Sequence, residues 1–169
     1  MKKILVLAAG AAAIVSAPAF AAPGDTATAQ GSATATVVAP ITLTHDTGAE
    51  LGFGTFTTGT TGGSVVVTQA GVGTSTGDVT HMSTSTETAD AFTATGDADR
   101  GFTISTTGGS VTLNGDGTTS PMAFTTSAPA SGVLTGGTAG FTVGGTLTVP
   151  GNHPAGVYSG SYDATVTYN

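Results

Sequence analysis

The sequence predicts an all-β fold, a β-sandwich with Greek-key connections that is immunoglobulin-like in outline. Three observations carry this. The chain is rich in Thr and Gly (27 glycines) and only 8% charged; Thr favours strands, Gly favours turns and bulges, and the long helix formers are scarce. Large apolar residues recur with period two in about eight to ten short runs, the pattern of strands with one dry and one wet face. Turn clusters of Gly, Asn and Asp separate these runs, as in sandwiches. A membrane-spanning barrel would want more and longer strands with aromatic girdles, but aromatics make up 6% of this chain and Trp is absent.

The first alternating run covers residues 27–43, with Ala27, Ala29, Gly31, Ala33, Ala35, Val37, Ala39, Ile41 and Leu43 on one face. It exceeds an ordinary strand of about 5–6 residues and reads as two units, an extension up to Val37 and a home strand around Pro40 to Thr44. Leu51 to Phe56 alternates large and small and is expected as a short core strand; Thr57 to Gly63 follows as a turn cluster. Ser64 to Thr68 is a strand with three consecutive valines, Ala70 to Gly77 a polar loop, and Val79 to Met82 a short edge strand. Ala89 to Thr95 and Phe102 to Ser105 are expected to form a hairpin through Gly96–Gly101. Ser110 to Leu113 precedes Asn114-Gly115-Asp116-Gly117, two strong hairpin dipeptides in a row. Pro121 to Thr125 carries Met122 and Phe124 on one face, and Ser127 to Gly140 is a long polar connection interrupted by Val133 and Leu134. Phe141, Val143, Leu147 and Val149 alternate around Gly144-Gly145, where a bulge or close backbone approach is expected. Past the turn at Pro150 to Gly156, a final strand places Tyr158, Gly160, Tyr162, Ala164, Val166 and Tyr168 on one face.

The first residues read as an export signal. Lys2 and Lys3 are followed by an apolar run from Ile4 to Val15, and Ala19-Phe20-Ala21 fits a signal peptidase site. The apolar run is too short for a span of about 20 residues. The domain reading is therefore 1–21 signal peptide, 22–37 extension and 38–169 sandwich, with Sec-dependent export. Cleavage after Ala21 leaves Arg100 as the one basic side chain against ten acids, a net charge of −9. Such a chain offers no counter-charge to nucleic acid or an anionic membrane. With no cysteine, stability rests on packing, the hydrogen-bond ladder and association, with no disulfide to help.

The sequence offers no catalytic constellation, and the chain is read as a non-enzyme without a cofactor or bound metal. His45, His81 and His153 lie in no HxxxH or HExxH pattern, and there is no GxSxG. His153, between Asn152 and Pro154, reads as a surface turn residue. Asp97 and Asp99 have the first two spacings of a calcium loop but lack the downstream Glu, so the segment reads as a polar connection with Asp99 beside Arg100.

Several stretches together resemble the DUF4402 family of exported bacterial proteins. They are Ala33 to Thr44, Leu51-Gly52-Phe53-Gly54, Ala91 to Gly96, Phe141 to Val149 and Gly156 to Tyr168. Members of that family look like fimbrial subunits, some of them similar to chaperone–usher pilins. The resemblance implies a sandwich lacking its last strand, whose groove accepts an N-terminal strand from the next subunit, a β-augmentation. The implied donor residues are Ala27, Ala29, Gly31, Ala33, Ala35 and Val37; the implied groove edge is Tyr158, Tyr162, Val166 and Tyr168. It also implies a homo-polymer at the cell surface, a periplasmic chaperone that occupies the groove beforehand, and an outer-membrane usher. Two departures stand out: the donor face is built of small residues, and the disulfide of many pilins is missing. The alternative reading is a self-complete extracellular adhesin or carbohydrate-binding domain, in which residues 27–43 are simply the first strand.

Overall fold

The computed structural model describes Gly24, residues 26–115 and residues 117–169. The expected signal segment 1–21 lies outside the described residues, as does Asp116 of the expected turn. The chain divides into two units, Met1–Thr36 and Val37–Asn169. Residues 26–40 form no strand and are exposed throughout, with Val37 at 95% exposure.

The second unit is all-β. Its strands are β1 (Thr42–His45), β2 (Phe56–Val67), β3 (Gly73–His81), β4 (Asp90–Thr95), β5 (Gly101–Thr106), β6 (Gly109–Leu113), β7 (Met122–Ser127), β8 (Ser131–Val133), β9 (Thr138–Val149), β10 (Tyr158–Ser159) and β11 (Ala164–Tyr168). All pairings are antiparallel. An eight-stranded sheet runs β1-β4-β9-β7-β6-β10, with β2 pairing both β9 and β3; a three-stranded sheet runs β11-β5-β8.

The long strand β9 ties the eight-stranded sheet together. Its first half pairs β4, with Thr138 opposite Thr95 and Val143 opposite Asp90. From Gly144 onward it pairs β7, and over Gly145–Val149 it pairs β2. The change of partner falls at the glycine pair. A Cβ on Gly144 would strike the Val67 carbonyl oxygen, and one on Gly145 would come within 2.5 Å of the Thr125 carbonyl oxygen. Neighbouring backbone thus approaches closely here, and a side chain is excluded.

A second spine is the segment 101–113. Along one edge β11 pairs β5 and β10 pairs β6; along the other, β8 pairs β5 and β7 pairs β6. Between the pairs Ser159–Thr112 and Ala164–Thr106, four residues of the last segment oppose five of the spine. That one-residue excess is a bulge, which bends the ribbon from one sheet into the other. The bend separates two apolar cores. One gathers Phe53, Val65, Val67, Val79, Met122, Phe124, Leu147 and Val149 inside the curl of the larger sheet. The other packs Phe92, Ala94, Phe141 and Val143 against Phe102, Ile104 and Leu134 from the side of the smaller sheet.

Several local expectations are overturned. Leu51 to Thr55 is not a strand; it runs beside residues 82–88 through one bridge, Gly52 to Thr88. The presumed turn at 57–63 lies inside β2. Between Thr58–Val79 and Gly63–Gly77, four residues of β2 oppose one of β3, Asp78. The glycines permit this wide bulge: Gly62 has φ +72°, Gly77 has φ +71°, and Asp78 holds the loop by accepting from the Thr61 amide and hydroxyl, both at 3.3 Å. Residues 73–77, expected as loop, belong to β3 because β2 supplies a partner ladder that local composition does not reveal. Gly96–Gly101 does not close a hairpin; β4 and β5 lie in different sheets, so it crosses from one to the other. The final strand is two strands, β10 and β11, one in each sheet.

Gly144→Val is therefore expected to destabilise the fold by about 1–3 kcal/mol, the range for forcing extra atoms into a packed interior. Gly140→Ala, where a Cβ has 3.9 Å to the nearest carbonyl, should stay close to wild type. Urea unfolding followed by circular dichroism checks both.

Candidate functional site

The first and last strands border the same seam. β1 pairs β4 alone and β11 pairs β5 alone among the described residues, so each presents an unpaired edge. Residues 39–56 run along one side of the seam and residues 157–168 return along the other.

At one end the seam is held shut. The Tyr168 hydroxyl donates to the Ala39 carbonyl at 2.9 Å and accepts from the Asp97 amide at 2.7 Å. Arg100 packs over the Tyr168 ring, 5.4 Å from its centroid, and its Nε donates to Asp97 Oδ2 at 3.2 Å. Ile41, Leu43, Ala164, Val166 and Tyr168 close over the second core, half-buried.

In the middle stands a polar clasp. Asp90, only 4% exposed, accepts from the Tyr162 hydroxyl at 2.7 Å, from His45 Nε2 at 2.6 Å and from the Ala91 amide at 2.8 Å. A carboxylate only accepts, so Nε2 carries the hydrogen. Burial, and then the Asp90 carboxylate beside it, push the Tyr162 phenol well above the usual tyrosine value. Tyr162 also packs on both cores, edge-on to Phe92 at 6.2 Å and to Phe124 at 6.1 Å.

Beyond the clasp the seam opens into a cleft of about 1120 Å³. One lip is the segment 50–56. It is fixed by reciprocal backbone bonds between Gly52 and Thr88 at 2.9 and 3.0 Å, and by the Thr55 amide donating to Ser85 Oγ at 2.8 Å. Ser85 in turn donates to Glu87, which lowers the Glu87 pKa; nearby His81, whose Nδ1 lies 2.6 Å from Oε1, lowers it further. The other lip is the segment 157–162, whose strand β10 pairs only β6 among the described residues. Phe53, Met122, Phe124, Leu147 and Val149 form the floor. Leu51, Phe56, Val111, Tyr158 and Tyr162, the partly buried apolar residues of this core, all line the cleft. Its volume exceeds the 300–1,000 Å³ of typical small-molecule pockets. An open strand edge over an apolar floor suits an extended chain, whose backbone extends the ladder while alternate side chains fill the floor.

Of the groove-edge residues expected from the sequence, Tyr158 and Tyr162 line this cleft, while Val166 and Tyr168 lie on the closed half of the seam. Ala27, Ala29, Gly31, Ala33 and Ala35 belong to the first unit, and Val37 opens the second; all are exposed. His153, read as a surface turn residue, is half-buried at the cleft, its ring tilted by 39° against Tyr158 at 5.2 Å, with Nε2 3.1 Å from the Ser120 carbonyl. The sequence reading gives Asp90 no role and places Leu51 to Phe56 in the core as a strand, not at the lip of a cleft. Asp90 was legible in principle, because Asp90, Phe92 and Ala94 share strand parity and all three are buried.

Tyr162→Phe leaves Asp90 without one donor and should cost about 1–3 kcal/mol, the range for a buried polar group that loses a partner. The alkaline limb follows from linkage. The folded state holds the Tyr162 proton more tightly than the unfolded chain, whose tyrosines titrate near 10.0. This share of stability is complete below that pH and is lost as pH rises above it. Urea midpoints from pH 8 to 11 should fall more steeply for wild type than for Tyr162→Phe.

A family model described as a domain of unknown function, DUF4402, matches residues 41–168. No curated protein and no solved structure matches the chain. With the match extending from Ile41 at the start of the seam to Tyr168 at its end, the chain belongs to the DUF4402 family.

Proposed function

We propose that the chain is a structural subunit of a bacterial surface fibre, an incomplete immunoglobulin-like sandwich that polymerises without covalent bonds. Residues 27–37 of one copy enter the cleft of the next, beside Tyr158 and Tyr162. The observation that supports this most is the cleft itself, an apolar floor beside an unpaired strand edge at the seam between the first and last strands. The lip 157–162 spans about 20 Å at roughly 3.3 Å per residue, room for a six-residue strand with three side chains turned inward. The exposed, alternating segment ending at Val37 supplies that length. Export through Sec, a periplasmic chaperone covering the cleft before assembly and an outer-membrane usher complete the reading. The role is structural and non-catalytic.

The physics favours a backbone-dominated grip. Each ladder hydrogen bond nets about 0.5–1.5 kcal/mol, whereas an alanine side chain buries little area at about 25 cal/mol per Å².

Electron microscopy of the purified exported protein should show regular filaments that only strong denaturant dissolves. Deletion of residues 22–36 should abolish filaments and leave a folded domain. A wild-type chain that stays monomeric and binds glycans would instead make it a self-complete adhesin or carbohydrate-binding domain. Because copies carry like charge, filament growth followed by light scattering should accelerate between 10 and 150 mM NaCl, as the screening length falls from about 30 to about 8 Å.

A further inference from the structure

Strand β3 is the longest strand of the fold with a single partner. It runs over nine residues, Gly73–His81, and pairs β2 alone among the described residues. The other strands with one partner, β1, β8, β10 and β11, are all shorter. No residue of β3 lines the cleft.

A long open edge is ordinarily guarded by Lys, Pro, an outward charge or a covering element. Residues 73–81 hold no Lys and no Pro. Their one acid, Asp78, is turned toward the chain's own β2, where it accepts from the Thr61 amide and hydroxyl. His81 is engaged at the far end, with Nδ1 2.6 Å from Glu87 Oε1. Ahead of the bulge, Gly73–Gly77 pairs β2 in unbroken register, from Gly73 opposite Val67 to Gly77 opposite Gly63. That stretch carries no charge and no side chain larger than Thr.

Such a run is complementary to itself. Thr74 and Thr76 are exposed on the outer face, while Ser75, opposite the buried Val65, belongs to the inner face. Two copies meeting antiparallel must pair outer residues with outer ones. Centring on Ser75 does this over the whole uncharged run: Ser75 meets Ser75, Thr74 meets Thr76, and Gly73 meets Gly77. Threonine pairs across strands stabilise a ladder, and within one copy Thr76 already shares a hydroxyl bond with Ser64 at 2.7 Å. The acidic charge of the chain does not oppose this contact. Asp78 falls opposite residue 72 of the second copy, six residues from the second Asp78, or about 20 Å at roughly 3.3 Å per residue. The screening length at physiological salt is about 8 Å.

We propose that Gly73–Gly77 is a self-association site, through which two copies of this chain join antiparallel about a two-fold axis at Ser75 and continue β2 and β3 into one shared sheet. A two-fold axis brings the same patch of both copies together, so one self-complementary edge suffices. The contact lies outside the cleft and does not depend on strand exchange. Singly it is short and weak; between two filaments it repeats, and repetition multiplies it.

The full exported chain has no cysteine, so single substitutions report the contact. Residues directly opposite in an antiparallel pair have Cα atoms about 4.5–5.5 Å apart, within disulfide reach. Thr74 and its own counterpart stand about 8 Å apart in this register, beyond the limit of roughly 7 Å. Under mild oxidation Ser75→Cys is expected to give several times more disulfide dimer than Thr74→Cys, although Thr74 is the more exposed. An equal mixture of Thr74→Cys and Thr76→Cys chains should give the mixed dimer. Random collision reverses the first order, so a yield from Thr74→Cys that equals or exceeds that from Ser75→Cys overturns the proposal. The double substitution Thr74→Lys, Thr76→Lys places charge on the exposed edge. It should abolish the Ser75→Cys dimer and, in electron micrographs, turn side-by-side filaments into single ones of unchanged length. Side-by-side filaments that persist in this variant overturn the proposal and leave strand exchange standing.

Discussion

Asp90 carries the one acidic side chain buried among the described residues, and much of this structure is arranged around satisfying it. A buried carboxylate is costly unless donors meet it. Here the donors come from the first strand (His45), from its own strand (the Ala91 amide) and from the last segment (Tyr162). The requirement therefore pins the two free edges of the fold to one point. Tyr162 sits where the last segment passes from one sheet to the other, and its ring joins the two cores through Phe92 and Phe124. On one side of this clasp the seam is closed by side chains; on the other it opens.

The curl that produces the opening comes from two strands that serve two neighbourhoods each. β9 changes partner at Gly144-Gly145, where the backbones on either side come too close for any side chain. The spine 101–113 bends at Thr107-Gly108, and a one-residue excess on it lets the last segment follow into both sheets. A bulge of this kind sharpens local twist and redirects a strand. The cleft thus follows from sheet geometry together with the lip 50–56, whose residues before Phe56 form no strand.

The same geometry bears on the functional reading. The lips are held by hydrogen bonds to segments behind them, so the edge of the cleft is ordered by the fold itself.

The class of fold was legible from composition and period-two alternation alone, because both report directly on strand backbones and half-buried faces. The alternation of Tyr158, Tyr162, Ala164, Val166 and Tyr168 likewise matches their half-buried state, whereas Gly160, expected on the same face, is exposed. The parity of Phe141, Val143, Leu147 and Val149, all buried, matches as well. Which sheet a strand joins is a long-range property and was not legible. Gly96–Gly101 looks like a hairpin yet crosses between sheets, and residues 57–63 look like a turn yet lie within a strand, because pairing partners decide both. The clasp belongs to the same category: His45, Asp90 and Tyr162 are far apart in sequence and meet only through the register of β1 on β4 and the bend of the last segment. The sequence by itself determined an all-β chain with a small-residue extension and an aromatic last strand. Tertiary structure alone decided that the seam opens beside Tyr158 and Tyr162 and not beside Val166 and Tyr168, because only packing sets how closely two unpaired edges approach.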